Sequence, residues 1–370
     1  CQKQKSRNYC KINNMSPYIV ICIIIIYFAV IFSVSYFSSK GNNINNFYKG
    51  NKNSPWWVVA IGMIGTTLSG VTFISVPGLV STETKMTYFE VILGNFLGYI
   101  AIMYFLLPLY YKMNLTSIYG YIEQRFGKIS YKTSAILFLL SKLIGAGFRL
   151  FIVILVLQIT VFDPLNLPFY LNAIISVMLI WAYTIKGGIK SIIWTDMIQT
   201  FFLVFAVVFT IFSIGKELNM NFTTMVSAIC SNDQFVLFDF GNFWSNENNF
   251  FKQFISGAFI TIVMTGLDQD MMQKNLSLKN IHEATKNFFS FSIALIPVNF
   301  IFLCLGVLFV IYMNTKGISQ QMNPDEIYPI LATKYLPFSV SIFFILGIIA
   351  SAFSSANSAM VAMTTSFMID

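Results

Sequence analysis

Charge is what this chain is shortest of: Asp, Glu, Lys and Arg together make up 10% of its 370 residues, against about 25% in an ordinary soluble domain. A chain so poor in charge cannot cover a water-facing surface over most of its length. That excludes a soluble enzyme and, despite a formal net charge of +8, a nucleic-acid-binding module. Histidine is scarcer still, with His282 alone, and the five cysteines (Cys1, Cys10, Cys22, Cys230 and Cys304) follow no metal or redox spacing. Without His and Cys clusters or paired catalytic carboxylates, the expectation is no enzyme and no organic cofactor.

What is abundant is apolar length. Hydrophobic residues reach 56%, and runs of about 20 residues, the length that crosses a bilayer, fall at 17–37, 55–80, 87–111, 134–160, 169–185, 191–214, 251–273, 287–312 and 338–368. These predict an all-α, multi-pass protein of the plasma (inner) membrane, with the lipid bilayer as its partner. Alternating the loops places Lys40, Lys49, Lys52, Lys112, Arg125, Lys128, Lys132, Lys186, Lys190, Lys274, Lys279 and Lys286 on one side. Lys85, Lys216, Lys316 and Lys334 fall on the other, so the first side is cytoplasmic. Residues 1–14 break this rule and read as a non-native or disordered leader before Met15.

The segment 54–80 is long enough to span but interrupted: Gly62, Gly65, Thr66, Thr67, Ser69, Gly70 and Thr72 lie within eleven residues, followed by Pro77 and Gly78. Ser54 and Pro55 read as N-cap and first helical residue. Two readings stand side by side. Either the helix opens and releases carbonyls toward a cavity, as broken helices of secondary transporters do, or Gly62, Gly65 and Ser69 form a stripe for close packing. Residues 251–273 form a second interrupted span ending at Asp268, five spans after the first, which suggests an inverted repeat.

Charges inside the spans are the remaining candidates. Glu90 has the spacing of a capping box with Thr87, or touches a solute. Lys142 and Arg149 are seven residues apart and share a helical face. Lys142 is near enough to snorkel to the cytoplasmic surface, whereas the deeper Arg149 needs Glu90 or an anionic ligand. Asp196 sits in the first turns of its helix, favoured there by the dipole or placed to attract a leaving cation. In the last span Ser351, Ser354, Ser355 and Ser358 share one face. Their hydroxyls either bond back to the preceding turn or, set against the first broken span, cage a sodium ion with uncharged oxygens.

The stretches SPWW at 54–57, LSGVTFISVPG at 68–78, TSIYGYIEQRFG at 116–127, GGIKSIIWTDMIQ at 187–199, GLDQDMMQK at 266–274, PDEIYP at 324–329 and SAFSSANS at 351–358 resemble, in order, the sodium/solute symporter family. The resemblance implies a LeuT-type inverted-repeat core with one extra N-terminal helix, C-terminally incomplete. Residues 15–54 are the extra helix and its loop, 55–214 the first five-helix repeat and 215–250 an extracellular loop. Residues 251–370 are then the first three helices of the second repeat. It further implies Na⁺ as coupling ion at Gly65, Leu68, Ser351, Ser354 and Ser355, and a second sodium involving Asp196, Ser354, Asn357 and Ser358. A solute site at Ser69, Thr72, Glu90, Arg149 and Asp268 completes the set. The function implied is sodium-coupled import by alternating access of a small organic solute, leaning to a carboxylate such as sialic acid or a monocarboxylate. Alternatives are a neutral sugar or amino acid symporter, or a transporter-like sensor without net transport.

Overall fold

The computed structural model describes residues 17–39, 52, 54–82, 84–185, 188–318 and 322–370. The leader at 1–14 and most of the loop before the first interrupted span lie outside them. Among the described residues the chain is helical, without strands. Its first apolar elements are α1 (Pro17–Ser39), the pair α2 (Trp56–Thr67) and α3 (Gly70–Leu79), α4 (Tyr88–Lys112), α5 (Tyr119–Leu157), the shorter α6 (Phe169–Thr184) and α7 (Gly188–Glu217). The short α8 (Phe222–Cys230) precedes a second pair, α9 (Phe250–Gly266) and α10 (Gln269–Leu276). Then follow α11 (Ile281–Lys316), the short α12 (Pro324–Ile330) and α13 (Phe338–Ile369). Counting each pair as one, these match the nine apolar runs of the sequence.

Both interrupted segments bend where the sequence loses helix propensity, by 63° between α2 and α3 and by 65° between α9 and α10. Each bent pair is followed by a long apolar helix, α4 after the first and α11 after the second. At the centre, α7 packs against α13, α2 and α1, while α4 packs against α9. The segment 116–127 forms a short helix before the span proper, and the chain turns between them at Gly127, whose φ of +84° disfavours side chains. Phe73 of α3, Phe302 of α11, Tyr328 of α12 and Phe344 of α13 stack together at the end assigned to the outside.

Three local expectations are corrected. Helix α2 begins at Trp56 with Pro55 in the cap position, and the hydroxyl of Ser54 is buried without a partner among the described residues. Thr87 does not cap α4, because its hydroxyl donates instead to the Thr84 carbonyl at 2.6 Å. Lys142 does not snorkel: it lies against Asp268 and Asp270 at 3.0 and 2.9 Å, a shorter route to compensation than the membrane surface.

The α4–α9 contact is backbone on backbone. A Cβ on Gly94 would meet the Phe254 carbonyl oxygen at 2.0 Å, and one on Gly98 the Ala258 carbonyl oxygen at 2.5 Å, a small-residue seam of the kind that holds membrane helices together. Gly94→Val should therefore cost roughly 1–3 kcal/mol or more through overpacking. In detergent it should melt several degrees below the native protein, whereas Gly147→Ala, with nothing within 4 Å of the new methyl, should not. Equal melting of the two variants would remove the seam from the account.

Candidate functional site

The first break is local. Helix α2 ends at Thr67, Leu68 takes φ −79° and ψ 77°, Ser69 is extended, and α3 resumes at Gly70. The Ser69 N–H turns to the Thr67 carbonyl at 3.0 Å rather than to Gly65, so the Gly65 carbonyl loses its usual donor. Gly65 itself stays helical, so within the glycine- and hydroxyl-rich stretch the opening lies at Leu68 and Ser69. Its missing side chain serves packing: a Cβ there would lie 2.2 Å from the Thr200 hydroxyl on α7. Both readings of the interrupted segment thus hold, in different halves.

Across the break stands α13, whose serines are buried and reach outward to other helices rather than back to their own turn. Ser351 donates to the Leu68 carbonyl at 2.7 Å. Ser354 donates to Asp196 Oδ1 at 2.7 Å and Ser358 to Oδ2 at 3.1 Å. Ser355 accepts from Arg149 Nη1 at 3.2 Å. Asn357, one position off this face, turns away and accepts from Thr184 at 2.5 Å, so it does not join Asp196. The freed Gly65 carbonyl and the buried Ser354 and Ser355 hydroxyls are uncharged hard-oxygen donors, which fit Na⁺ better than a soft or multivalent metal.

Asp196 is fully buried between α2, α7 and α13. Besides the two serines it meets Thr66 at 3.2 Å and the ammonium of Lys274 at 2.6 Å. Lys274 was placed with the cytoplasmic loop cations, but it is 1% exposed; the bend between α9 and α10 folds the polar run 268–275 back into the bundle. The signal that would have found it is the apolar company of Met271 and Met272 on the same short helix.

Beside the break lies a cavity of about 580 Å³. Ser69, Thr72, Arg149 and Asp268 line it together with Lys142, Tyr88 and Asn95, which sequence reasoning passed over or assigned elsewhere. Glu90 is not among the lining residues. It is fully buried, and its Oε1 accepts from the Asp239 backbone N–H at 2.6 Å, tying the outer loop to α4. Lys142 is shared by Asp268 and Asp270, and Asp268 also caps α10 by accepting from the Met271 N–H at 3.2 Å. No carboxylate among the described residues pairs with Arg149. The seven residues between Lys142 and Arg149 correspond to about 10 Å along α5. The cavity therefore has a net-negative cluster at one level and an uncompensated cation at the other.

The profile of the Sodium:solute symporter family matches residues 47–370. The sodium/sialic acid symporter SiaT of Proteus mirabilis is 27% identical over 346 residues, covering 90% of this chain and 67% of the relative. The sodium/sialic acid symporter NanT of Aliivibrio fischeri is 26% identical, covering 90% and 66%, and the sodium/glucose cotransporter of Vibrio parahaemolyticus is 22% identical, covering 95% and 68%. The chain thus spans about two thirds of the length of these relatives. A solved structure of a Na⁺-coupled sialic acid symporter in a substrate-bound, outward-open state superposes with a TM-score of 0.82 at 22% identity, over 94% of this chain and 74% of that one. That likeness gives the LeuT-type fold, and with the profile covering most of its length the chain belongs to the sodium:solute symporter family.

Proposed function

We propose that this chain imports a small carboxylate-bearing solute together with Na⁺. The observation that carries the reading is Arg149, a cation in a membrane helix that lines the cavity and has a hydroxyl, not a carboxylate, for a partner. Leaving such a charge uncompensated is costly in a bilayer, and a carboxylate on the solute supplies what the protein omits, in the bidentate geometry guanidinium favours. The far end of the cavity, with Asp268 and Asp270 around one lysine, suits hydroxyl or amino donors on the same solute. Ser69 and Thr72 offer neutral hydroxyls between the two ends.

The coupling ion is assigned to the carbonyls of Gly65, Leu68 and Ser351 and the hydroxyls of Ser354 and Ser355. Support comes from the Ser351 contact to Leu68 and from the depth of all three serines, 2% exposed or less. Entry of Na⁺ replaces the serine donor at the Leu68 carbonyl and ties α2 to α13 across the break, which sets Ser69 and Thr72 for the solute; solute and ion then leave inward. One Na⁺ moving down about 100 mV releases about 2.3 kcal/mol, and a tenfold gradient adds about 1.4 kcal/mol. Together they support accumulation of several hundredfold. Catalysis of a covalent reaction is not part of this reading, since the family is one of sodium-coupled transporters.

Two experiments test it in proteoliposomes holding the chain. With a sodium gradient and labelled sialic acid, a monocarboxylate, proline and galactose, the two acids should accumulate, and Arg149→Ala should reduce their uptake by roughly 10- to 100-fold, the loss of about 1.5–3 kcal/mol of a charged hydrogen bond. Uptake of galactose over the acids, or an equal loss for every solute, would count against Arg149 as the carboxylate partner. Replacing Ser354 and Ser355 together by Ala should leave uptake indifferent to whether sodium or choline is outside; retained sodium dependence would displace the ion site.

A further inference from the structure

Lys274 is among the most deeply buried charges of the chain, and the transport cycle above makes no use of it. From α10 it reaches across to α7, where its Nζ lies 2.6 Å from Asp196 Oδ2, and to the Thr66 hydroxyl on α2. Thr66 also lies 3.2 Å from Oδ2, Ser358 donates to the same oxygen at 3.1 Å, and Ser354 donates to Oδ1 at 2.7 Å. Apart from its chain attachment, this ammonium sits as an alkali cation would: against one dry carboxylate from α7 and a hydroxyl from α2, with two α13 hydroxyls on the same carboxylate.

We infer that Lys274 is a tethered substitute for a second coupling sodium ion, filling the cation seat at Asp196 so that this carrier runs on the single sodium at the α2–α13 break. The inference rests on that sodium assignment for its count, and on the Asp196 geometry for its substance. An ammonium and a sodium ion carry the same charge. Both beside one buried carboxylate would leave a net positive charge out of water, so either excludes the other. A cation that belongs to the chain is not released on each turnover and draws nothing from the sodium gradient. It also holds α10 against α7 and α2 whether or not sodium is present, a tie that an exchangeable ion makes only when bound.

Equilibrium ²²Na⁺ binding to the purified full chain in detergent reads this directly. The native protein and Lys274→Arg should each bind one sodium ion, Lys274→Met should bind two, and Lys274→Met combined with Asp196→Asn should return to one. Two ions on the native protein, or a Lys274→Met count no higher than the native one, would overturn the inference. Adding Ser355→Ala, which does not touch Asp196, separates the two sites: native should fall to none and Lys274→Met to one. If the native protein binds none and Lys274→Met binds one, the site at the break falls while the seat at Asp196 stands. Melting in sodium against choline chloride guards against misfolding. Lys274→Met should be raised by sodium further than Lys274→Arg, which has one ion fewer to bind, and a Lys274→Met protein unfolded in both salts counts against the inference, because sodium accepted at Asp196 replaces the lost charge.

Discussion

A helix that breaks inside a membrane releases carbonyl groups that no water can reach, and the rest of this structure is arranged around meeting that demand. The break at Leu68 is answered by a hydroxyl from Ser351, on a helix 283 residues away in sequence. An unsatisfied buried acceptor costs about 1–3 kcal/mol, so α13 is held against the break there. That one constraint fixes the side of α13 that faces inward, and with it the positions of Ser354, Ser355 and Ser358. It also explains why α2 spends glycine on packing against Thr200 of α7: the helix that opens must be gripped firmly just before it does.

Around this contact, charge is handled in two different ways. Asp196 with Lys274, and Lys142 with Asp268 and Asp270, are bridged groups in which each cation has a carboxylate, the second with one carboxylate in excess. Both join the second bent pair to the first repeat, Lys142 through α5 and Asp196 through α7. Removing one member of a buried pair typically costs about 3–5 kcal/mol, so these links act as fixed cross-braces at the inner end of the cavity. Arg149 is the exception. On the same face of α5 as Lys142, it is left with a hydroxyl, and the contrast between braced and unbraced cations on one helix is what gives the cavity its polarity.

The sequence made the spans legible because the bilayer imposes a length that few soluble elements imitate: all nine apolar runs became helices, and eight of them, each bent pair counted as one, are long enough to cross. The place of the first break was readable to within a few residues from glycine and hydroxyl crowding. Its mechanism was not, since Gly65 and Leu68 look equally disposed to unwind until Thr200 is seen against the former. The serine face of α13 was readable from its i, i+3, i+4, i+7 spacing, which holds whatever its neighbours are. What stayed hidden was pairing. Lys274 meets Asp196 across 78 residues and Lys142 meets Asp268 across 126, and nothing local distinguishes a lysine that ends a span from one folded back inside it. Glu90 misled for the same reason: its partner is the backbone of a loop 149 residues on.

Ser355 is where the two halves of the proposed cycle touch. Its oxygen accepts from Arg149 and is counted among the ligands of the coupling ion, so guanidinium and sodium would share one atom. Two unit cations this close in a site of effective dielectric near ~20 repel by an amount of the order of 3 kcal/mol, and sodium alone would therefore bind against the field of Arg149. A carboxylate at Arg149 cancels that field, which makes the anion favour the cation. By linkage the cation favours the anion by the same factor. A neutral sugar in the same cavity gives no such relief. On the proposed assignment the coupling between ion and solute has its sign set by electrostatics at a single hydroxyl, with no need for a long-range path through the bundle, and it would be strongest for the carboxylate solutes proposed for Arg149, which has no carboxylate partner among the described residues.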